Sequence, residues 1–392
     1  MKIGYIARWW PEYGGSYQYD LFAISALSKA SQQVDLLVFY SDSRLPKDLV
    51  HLTPGVRFIK LVDWFSSRII RGIARRTLYR LAGVEPIVFR SRAPENHDLD
   101  ACIGTAPFID GVFANCANVL IVHDLWFLRY NRQLSDDNWR PLRTQIGIFN
   151  ADVIVVESPL GKQDIIDYAK VDEDRVSIVP LPVAAFVAKY MKENLPAPTR
   201  ISKPYAFYPA HYLEFKNHAV TLRALRLLKS KGILLSAVFC GPVTAPAYRD
   251  DLIKMTADFG LEGQVLFEGW LSDRDVASLY QHAAAVVMSS KFGPTNIPIW
   301  EGMAFGVPVI SCDVGDMPWQ VGDAGLIFPA EDERVLAAHL ENIIRNPEMA
   351  REYVRRGKRR FSSLEQEAWG ENLLKIVKRA VELNKAYRAP MA

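Results

Sequence analysis

Four short stretches of the chain carry residue types that can grip a phosphorylated, polyhydroxylated ligand. In residues 289–311 an apolar run ends in a loop containing Gly293, Pro294, Thr295 and Asn296. A short helix opening near Ile297 follows, and then a second apolar run. Such a loop presents backbone N–H groups and a helix N-terminus, the usual makings of a diphosphate site. Glu301, inside that helix, has a carboxylate able to accept two vicinal hydroxyls of a ribose. Its neighbours Trp300 and Met303 argue against a merely solvated helix residue. Residues 208–218 place His211, Lys216 and Asn217 between an apolar run and a helix, and a lysine there can neutralise a departing diphosphate. Taken alone, most lysines in such a place are surface lysines beside a helix cap. Gly14 and Gly15 follow the first apolar run and let backbone approach a phosphate closely, a weak signal by itself. His123 and Asp124 close another apolar run, where such a pair is more often a satisfied turn than a reacting group.

These stretches need strands that end beside them. Apolar runs at 3–7, 34–40, 101–105, 119–122 and 153–156 alternate with amphipathic segments, 16–30 among them, as parallel βαβ units do. A second series runs through 205–209, 234–240, 265–268, 285–288 and 307–311, and 325–328 reads as a last apolar turn. Ser158 before Pro159, and Ser272 before an acidic turn, are helix starts. Between the two series, Pro182, Pro196 and Pro198 punctuate residues without periodicity, an expected linker over 183–203. The expectation is an α/β chain of two doubly wound, Rossmann-like domains, 1–182 and 204–365, facing a central cleft. A C-terminal helix, 366–392, is expected to return to the first domain. Ligands of such sheets bind beyond the carboxyl ends of the strands, where strand order reverses.

At 392 residues the chain exceeds one ordinary core, and a net charge of +3 disfavours a nucleic-acid binder. Cys102, Cys116, Cys240 and Cys312 are far apart, which fits a reducing compartment and speaks against structural zinc. The first strand begins at residue 3, which leaves no room for a signal peptide, and no apolar run is long enough to span a bilayer. A cytoplasmic protein is expected, with peripheral contact at the inner membrane face at most. Residues 64–80 carry five arginines and no acid on a partly amphipathic stretch. They suit contact with anionic lipid or, equally, a solvated face beside an acidic acceptor. The basic run at 355–360 reads as a solvated helix face.

Together the four stretches resemble the retaining glycosyltransferases of family 4, with the GT-B fold, along nearly the whole chain and most strongly over 205–329. The resemblance implies that Gly14 and Gly15 lie against the donor phosphates and the acceptor. It makes Lys216 the diphosphate ligand and Glu301 the ribose ligand. His123 and Asp124 then lie near the transferred sugar, and Gly269 and Trp270 border the base. It implies a nucleotide-sugar donor, a glycan or lipid-linked acceptor, no metal, and transfer with retention and no protein nucleophile. Two departures stand out. Gly293 occupies the place of the family's first glutamate, so that Thr295 and Asn296 are expected on the sugar hydroxyls. The usual arginine before the lysine is missing, so that His211 is its partial substitute. The expected reaction is hexosyl transfer in surface-polysaccharide synthesis, with mannose from GDP-mannose as the first candidate. An epimerase of the same fold and a silent scaffold are the alternatives. A nicotinamide oxidoreductase is disfavoured because no strand precedes a G-x-G-x-x-G turn.

Overall fold

The structure, a computed structural model, describes residues 1–7, 15–31, 33–40, 49–50, 53–60, 97–106, 115–125, 139–202, 204–365 and 368–388. Gly14 and the basic stretch 64–80 lie outside them. The chain divides into two compact units. One comprises Met1–Pro180 with Glu367–Ala392, the other Leu181–Gln366.

Unit 1 is built on a seven-stranded parallel sheet. Its strands are β1 (Lys2–Ala7), β2 (Asp35–Tyr40), β3 (Arg57–Lys60), β4 (Ala101–Thr105), β5 (Ala117–Ile121), β6 (Val153–Val156) and β7 (Val176–Ile178), in the order 3-2-1-4-5-6-7. The order reverses between β1 and β4, which pair through Ile3 with Ala101 and Tyr5 with Ile103. Every residue of β4 and β6 is buried, which is why each reads as an unbroken apolar run. Among the described residues, its helices include α1 (Gly15–Ala30), α2 (Trp139–Asn150), α3 (Pro159–Ala169) and, from the chain's end, α12 (Trp369–Arg388). Ser158 caps α3 by accepting from the Gly161 N–H at 3.2 Å, with Pro159 at the first helical position. Trp369 anchors α12. Tyr19 and Phe22 of α1 meet its ring edge-on at 5.7 and 5.3 Å, and its Nε1 donates to the Pro180 carbonyl at 3.0 Å.

Unit 2 has a six-stranded parallel sheet of β8 (Tyr205–Pro209), β9 (Ser236–Cys240), β10 (Val265–Glu268), β11 (Ala285–Met288), β12 (Val309–Cys312) and β13 (Gly325–Phe328), in the order 10-9-8-11-12-13. Its reversal falls between β8 and β11. Around it lie α4 (Ala185–Tyr190), α5 (His218–Ser230), α6 (Pro246–Asp258), α7 (Asp273–His282), α8 (Ile297–Phe305), α9 (Met317–Val321), α10 (Glu333–Arg345) and α11 (Pro347–Ser362). Ser272 caps α7 through the Asp275 N–H at 3.2 Å. The basic face of α11 is exposed at Arg355, Lys358 and Arg359, as the sequence suggests, and its arginines are largely paired. Arg355 and Arg356 pair with Glu352, Arg359 with Asp323, and Arg360 donates to the carbonyls of Trp319 and Gln320 at the end of α9.

The structure departs from the sequence expectations at short elements. β3 and β7 are strands of four and three residues without an apolar run of their own. The apolar turn at 325–328 is a full strand, β13, paired to β12 from Val309 with Gly325 to Cys312 with Phe328. The proline-punctuated linker holds a helix, α4, whose six residues are too few to show a period. Its Phe186 stacks on Phe305 of α8 at 6.1 Å.

Candidate donor site and sugar-facing cluster

The reversal point of unit 2 gathers Lys216, Thr295, Asn296 and Ile297. Lys216 lies in a helical turn after β8, and its carbonyl is held by the Tyr208 hydroxyl at 2.6 Å and by Ser289 Oγ at 3.2 Å. The next residue, Asn217, turns the chain into α5 with φ +53° and fastens its side chain to the Ala330 carbonyl at 2.7 Å. Lys216 Nζ then reaches Asn296 Oδ1 at 3.4 Å and lies over the Phe215 ring, 5.3 Å from its centroid. Asn296 stands at the start of α8 with no side-chain cap bond. No side chain of the cap residue closes the first turn, where the Ile299 N–H donates to the Asn296 carbonyl at 3.1 Å and Pro298 has no N–H to satisfy. Thr295 is buried and its hydroxyl has no partner. Ile297, half-buried, opens the helix.

A second segment, unseen in the sequence reading, holds this loop. Gln320 of α9, wholly buried, accepts from the Asn296 N–H at 2.9 Å and donates to the Asn296 carbonyl at 2.8 Å, as a neighbouring strand would. The Asp316 N–H donates to the Pro294 carbonyl at 2.7 Å. Gly315, at φ +60°, lies so close that a Cβ there would stand 2.6 Å from the Gly293 carbonyl. Gly293 has φ +118°, a conformation side chains rarely adopt, although a Cβ there would make only ordinary contacts, 3.5 Å from the Thr295 carbonyl and 3.6 Å from the Asn296 side chain. The glutamate of the family pattern is thus disfavoured here by backbone conformation and not by crowding.

Glu301 is buried in the middle of α8, which removes the solvated-helix reading. Its carboxylate is held by two donors. Oε2 accepts from the Tyr280 hydroxyl at 2.6 Å, and the Ala184 backbone N–H also bonds to the group. Tyr280 is itself fixed between Phe305, stacked at 5.2 Å, and Phe207, edge-on at 4.9 Å. Burial pushes the Glu301 carboxyl up to about 7, against the lowering effect of those two hydrogen bonds. His211 is driven below its ordinary value by burial and by the nearby Lys216 charge, so it offers a neutral hydrogen-bond donor and not a second cation. The Gly269 carbonyl accepts from the Gly241 N–H at 3.2 Å, and Trp270 beside it is 62% exposed.

His123 and Asp124 lie in unit 1, just beyond β5, with Gly15 opening α1 beyond β1. His123 Nδ1 pairs with Glu157 Oε1, and its ring meets Tyr19 edge-on at 4.8 Å. Glu157, at the end of β6, and Tyr19 carried no motif in the sequence. Among the described residues, no three His, Cys, Asp or Glu side chains gather in a way that could hold a metal ion. No described helix is long and apolar enough to cross a membrane.

Two parallel Rossmann-like units, each with one reversal of strand order, define the GT-B class, and solved structures of that class match along the chain. The sucrose-phosphate synthase of Thermosynechococcus elongatus matches with a TM-score of 0.75 at 20% identity, over 97% of this chain and 98% of that one. Anabaena Alr3699/HepE, solved in complex with UDP and glucose, matches with a TM-score of 0.72 at 15% identity, over 97% and 100%. Within the class, residues 191–360, all in unit 2, match the family described as Glycosyl transferases group 1. The resemblance drawn from the sequence is borne out. The O-antigen chain mannosyltransferase B of Escherichia coli is 28% identical over 199 residues, 49% of this chain and 51% of that protein. The chain covers about half the length, or less, of the curated relatives first matched.

Proposed function

We propose that this chain is a retaining glycosyltransferase that moves a hexose from a nucleotide-sugar donor to a glycan or lipid-linked acceptor in surface-polysaccharide synthesis. Mannose from GDP-mannose is the first candidate, by analogy with the O-antigen mannosyltransferase. The observation that carries the reading is Lys216 Nζ meeting Asn296 at the start of α8, at the strand reversal of the unit that holds the family match. In this reading the departing diphosphate lies against Lys216 and the N-terminus of α8, which offset its growing negative charge without a metal. Thr295 and Asn296 bond sugar hydroxyls. Gly269 and Trp270 border the base, Gly14 and Gly15 approach the phosphates, and Glu301 takes the ribose hydroxyls on the oxygen that Tyr280 leaves. His123 and Asp124 face the transferred sugar. The acceptor hydroxyl attacks from the side the diphosphate leaves, so configuration is retained. Residues 64–80 are assigned to anionic lipid at the inner membrane face. None of the proteins named above is an epimerase, and no observation favours epimerisation or a silent scaffold.

The test is a panel of GDP-, UDP- and ADP-sugars, read first by thermal stabilisation and then by product analysis with a mannose-terminated acceptor. The expected result is stabilisation by one donor and a new α-linked hexoside from it. Absence of stabilisation by every donor, with no transfer above background, would overturn the proposal.

A further inference from the structure

Unit 1 holds a buried polar cluster drawn from separate elements. His123 follows β5, Glu157 follows β6, Tyr19 and Asp20 belong to α1, and Tyr5 lies within β1. The side chain of Glu157 is only 3% exposed, and its Oε1 meets His123 Nδ1. The other ring nitrogen, Nε2, is buried and has no hydrogen-bond partner, and the Tyr19 hydroxyl is in the same condition. Buried polar atoms of this kind are costly unless a partner arrives. Tyr5 gives its hydroxyl to Asp20 at 2.6 Å. The cap of α3 does not account for Glu157, because Ser158 already supplies the capping oxygen.

We propose that Glu157 is a positioning residue, whose carboxylate keeps a proton on His123 Nδ1 and so aims Nε2 at a hydroxyl of the sugar or acceptor. The inference rests on the reading of His123 as sugar-facing. A carboxylate on one imidazole nitrogen fixes both the ring's orientation and its tautomer. With Nδ1 protonated, Nε2 accepts a hydrogen bond when the ring is neutral and donates one when it is charged. Burial alone would lower the pKa of His123. The carboxylates of Glu157, then of Asp20 and Asp124, outweigh that burial and hold it above the ordinary value. The phenols that face the ring's surroundings, Tyr19 and Tyr5, are raised well above theirs and stay neutral. The pair therefore keeps the Nε2 proton to higher pH than an ordinary imidazole does, next to the idle Tyr19 hydroxyl. Two adjacent groups of this type suit a ligand rich in hydroxyls.

The experiment is nitrogen-15 NMR of His123 in the full-length protein, together with the pH dependence of turnover for the donor found in the panel. In the wild type Nδ1 should keep its proton through the titration while Nε2 loses its own. Glu157→Gln should lower the midpoint by about one pH unit or more. It should also move one limb of the turnover profile with it and reduce kcat roughly tenfold, with little change in donor KM. Glu157→Asp, which keeps the charge, should retain most of the midpoint shift. A merely structural role would lower the melting temperature and leave both midpoint and limb in place, which overturns the proposal. So does a wild-type ring with Nε2 protonated and Nδ1 bare, an outcome that needs no variant to fold. A midpoint that moves while the turnover profile stays fixed overturns the link to the reaction. If no donor is turned over at all, the transferase reading fails, and the NMR measurements still decide what Glu157 does to His123.

Discussion

Glu301 is the residue whose environment makes the sharpest demand on pH. Its carboxyl titrates at about 7 in the fold against an ordinary 4.5, so the native chain binds the extra proton between those values. Stability is then present at acid pH and falls as pH rises from about 4.5 to about 7, by roughly 3 kcal/mol at 1.36 kcal/mol per unit. Glu301→Gln imitates the protonated form and still accepts from Tyr280. Its melting temperature should stand increasingly above the wild type's from pH 5 to pH 8, and an equal gap at both would refute the account. If ribose hydroxyls donate to this carboxylate, binding favours its ionised form, so wild-type affinity for the nucleotide should strengthen over the same range. The variant's affinity should be weaker and flat. His123 is raised as well, so its contribution to stability is full below its ordinary value and lost as pH passes the folded one. For Lys216, Lys216→Ala should lower turnover by about two orders of magnitude at saturating donor, as for loss of one transition-state donor. Normal turnover would remove Lys216 from the reaction.

At the scale of elements, the loop before α8 depends on α9. Gln320→Leu leaves the buried Asn296 N–H without a partner and its carbonyl with the Ile299 N–H alone, which should cost about 2 kcal/mol in urea unfolding and raise donor KM. An unchanged unfolding midpoint would show that the loop holds itself. The same pair shows where sequence reading reaches its limit. β4, β6, β10 and β11 were legible to the residue, because strands covered on both faces, or closely flanked by turn residues, give compact apolar runs. β3, β7 and α4 were not, since three to six residues cannot establish a period. The loop of Pro294, Thr295 and Asn296 and the turn at Lys216 stood out by composition. Gln320, Tyr280 and Glu157 did not. Gln320 and Glu157 are single polar residues in or beside apolar elements, Tyr280 is one of several in a mixed helix, and the partner of each lies more than twenty positions away in the chain. The bond that ties Glu301 to Tyr280 was invisible for the same reason.

At the scale of the whole molecule, each unit owns a parallel sheet and a buried core, and α12 belongs to the first although it ends the chain. Calorimetry should resolve two unfolding transitions. The donor's nucleoside diphosphate, bound by Lys216 and α8, should raise only the one that belongs to unit 2. At a hundredfold excess over Kd the added stability is about 2.7 kcal/mol. A shift confined to the other transition would place the nucleotide in unit 1. The basic stretch 64–80 gives a second test at this scale. Replacing Arg71, Arg75 and Arg76 with glutamine should weaken binding to anionic vesicles while sparing transfer to a water-soluble acceptor. Equal vesicle binding would return the stretch to the role of a solvated face.

The backbone at Gly293 also bears on descent. Two of the four glycine codons lie one base change from a glutamate codon, so the mutation supply for a second acid at this place is ample. What opposes it is order of events. A glutamate arriving at φ +118° enters a loop that Gly315 and Asp316 clamp from the other side. A lineage would have to reshape 293–296 and 315–320 together before the acid conferred any advantage. Chains with Thr295 and Asn296 in this loop are then expected to form a branch of their own, closed to point mutation in this direction. Gly293→Glu made alone should fold less stably by about 1–3 kcal/mol.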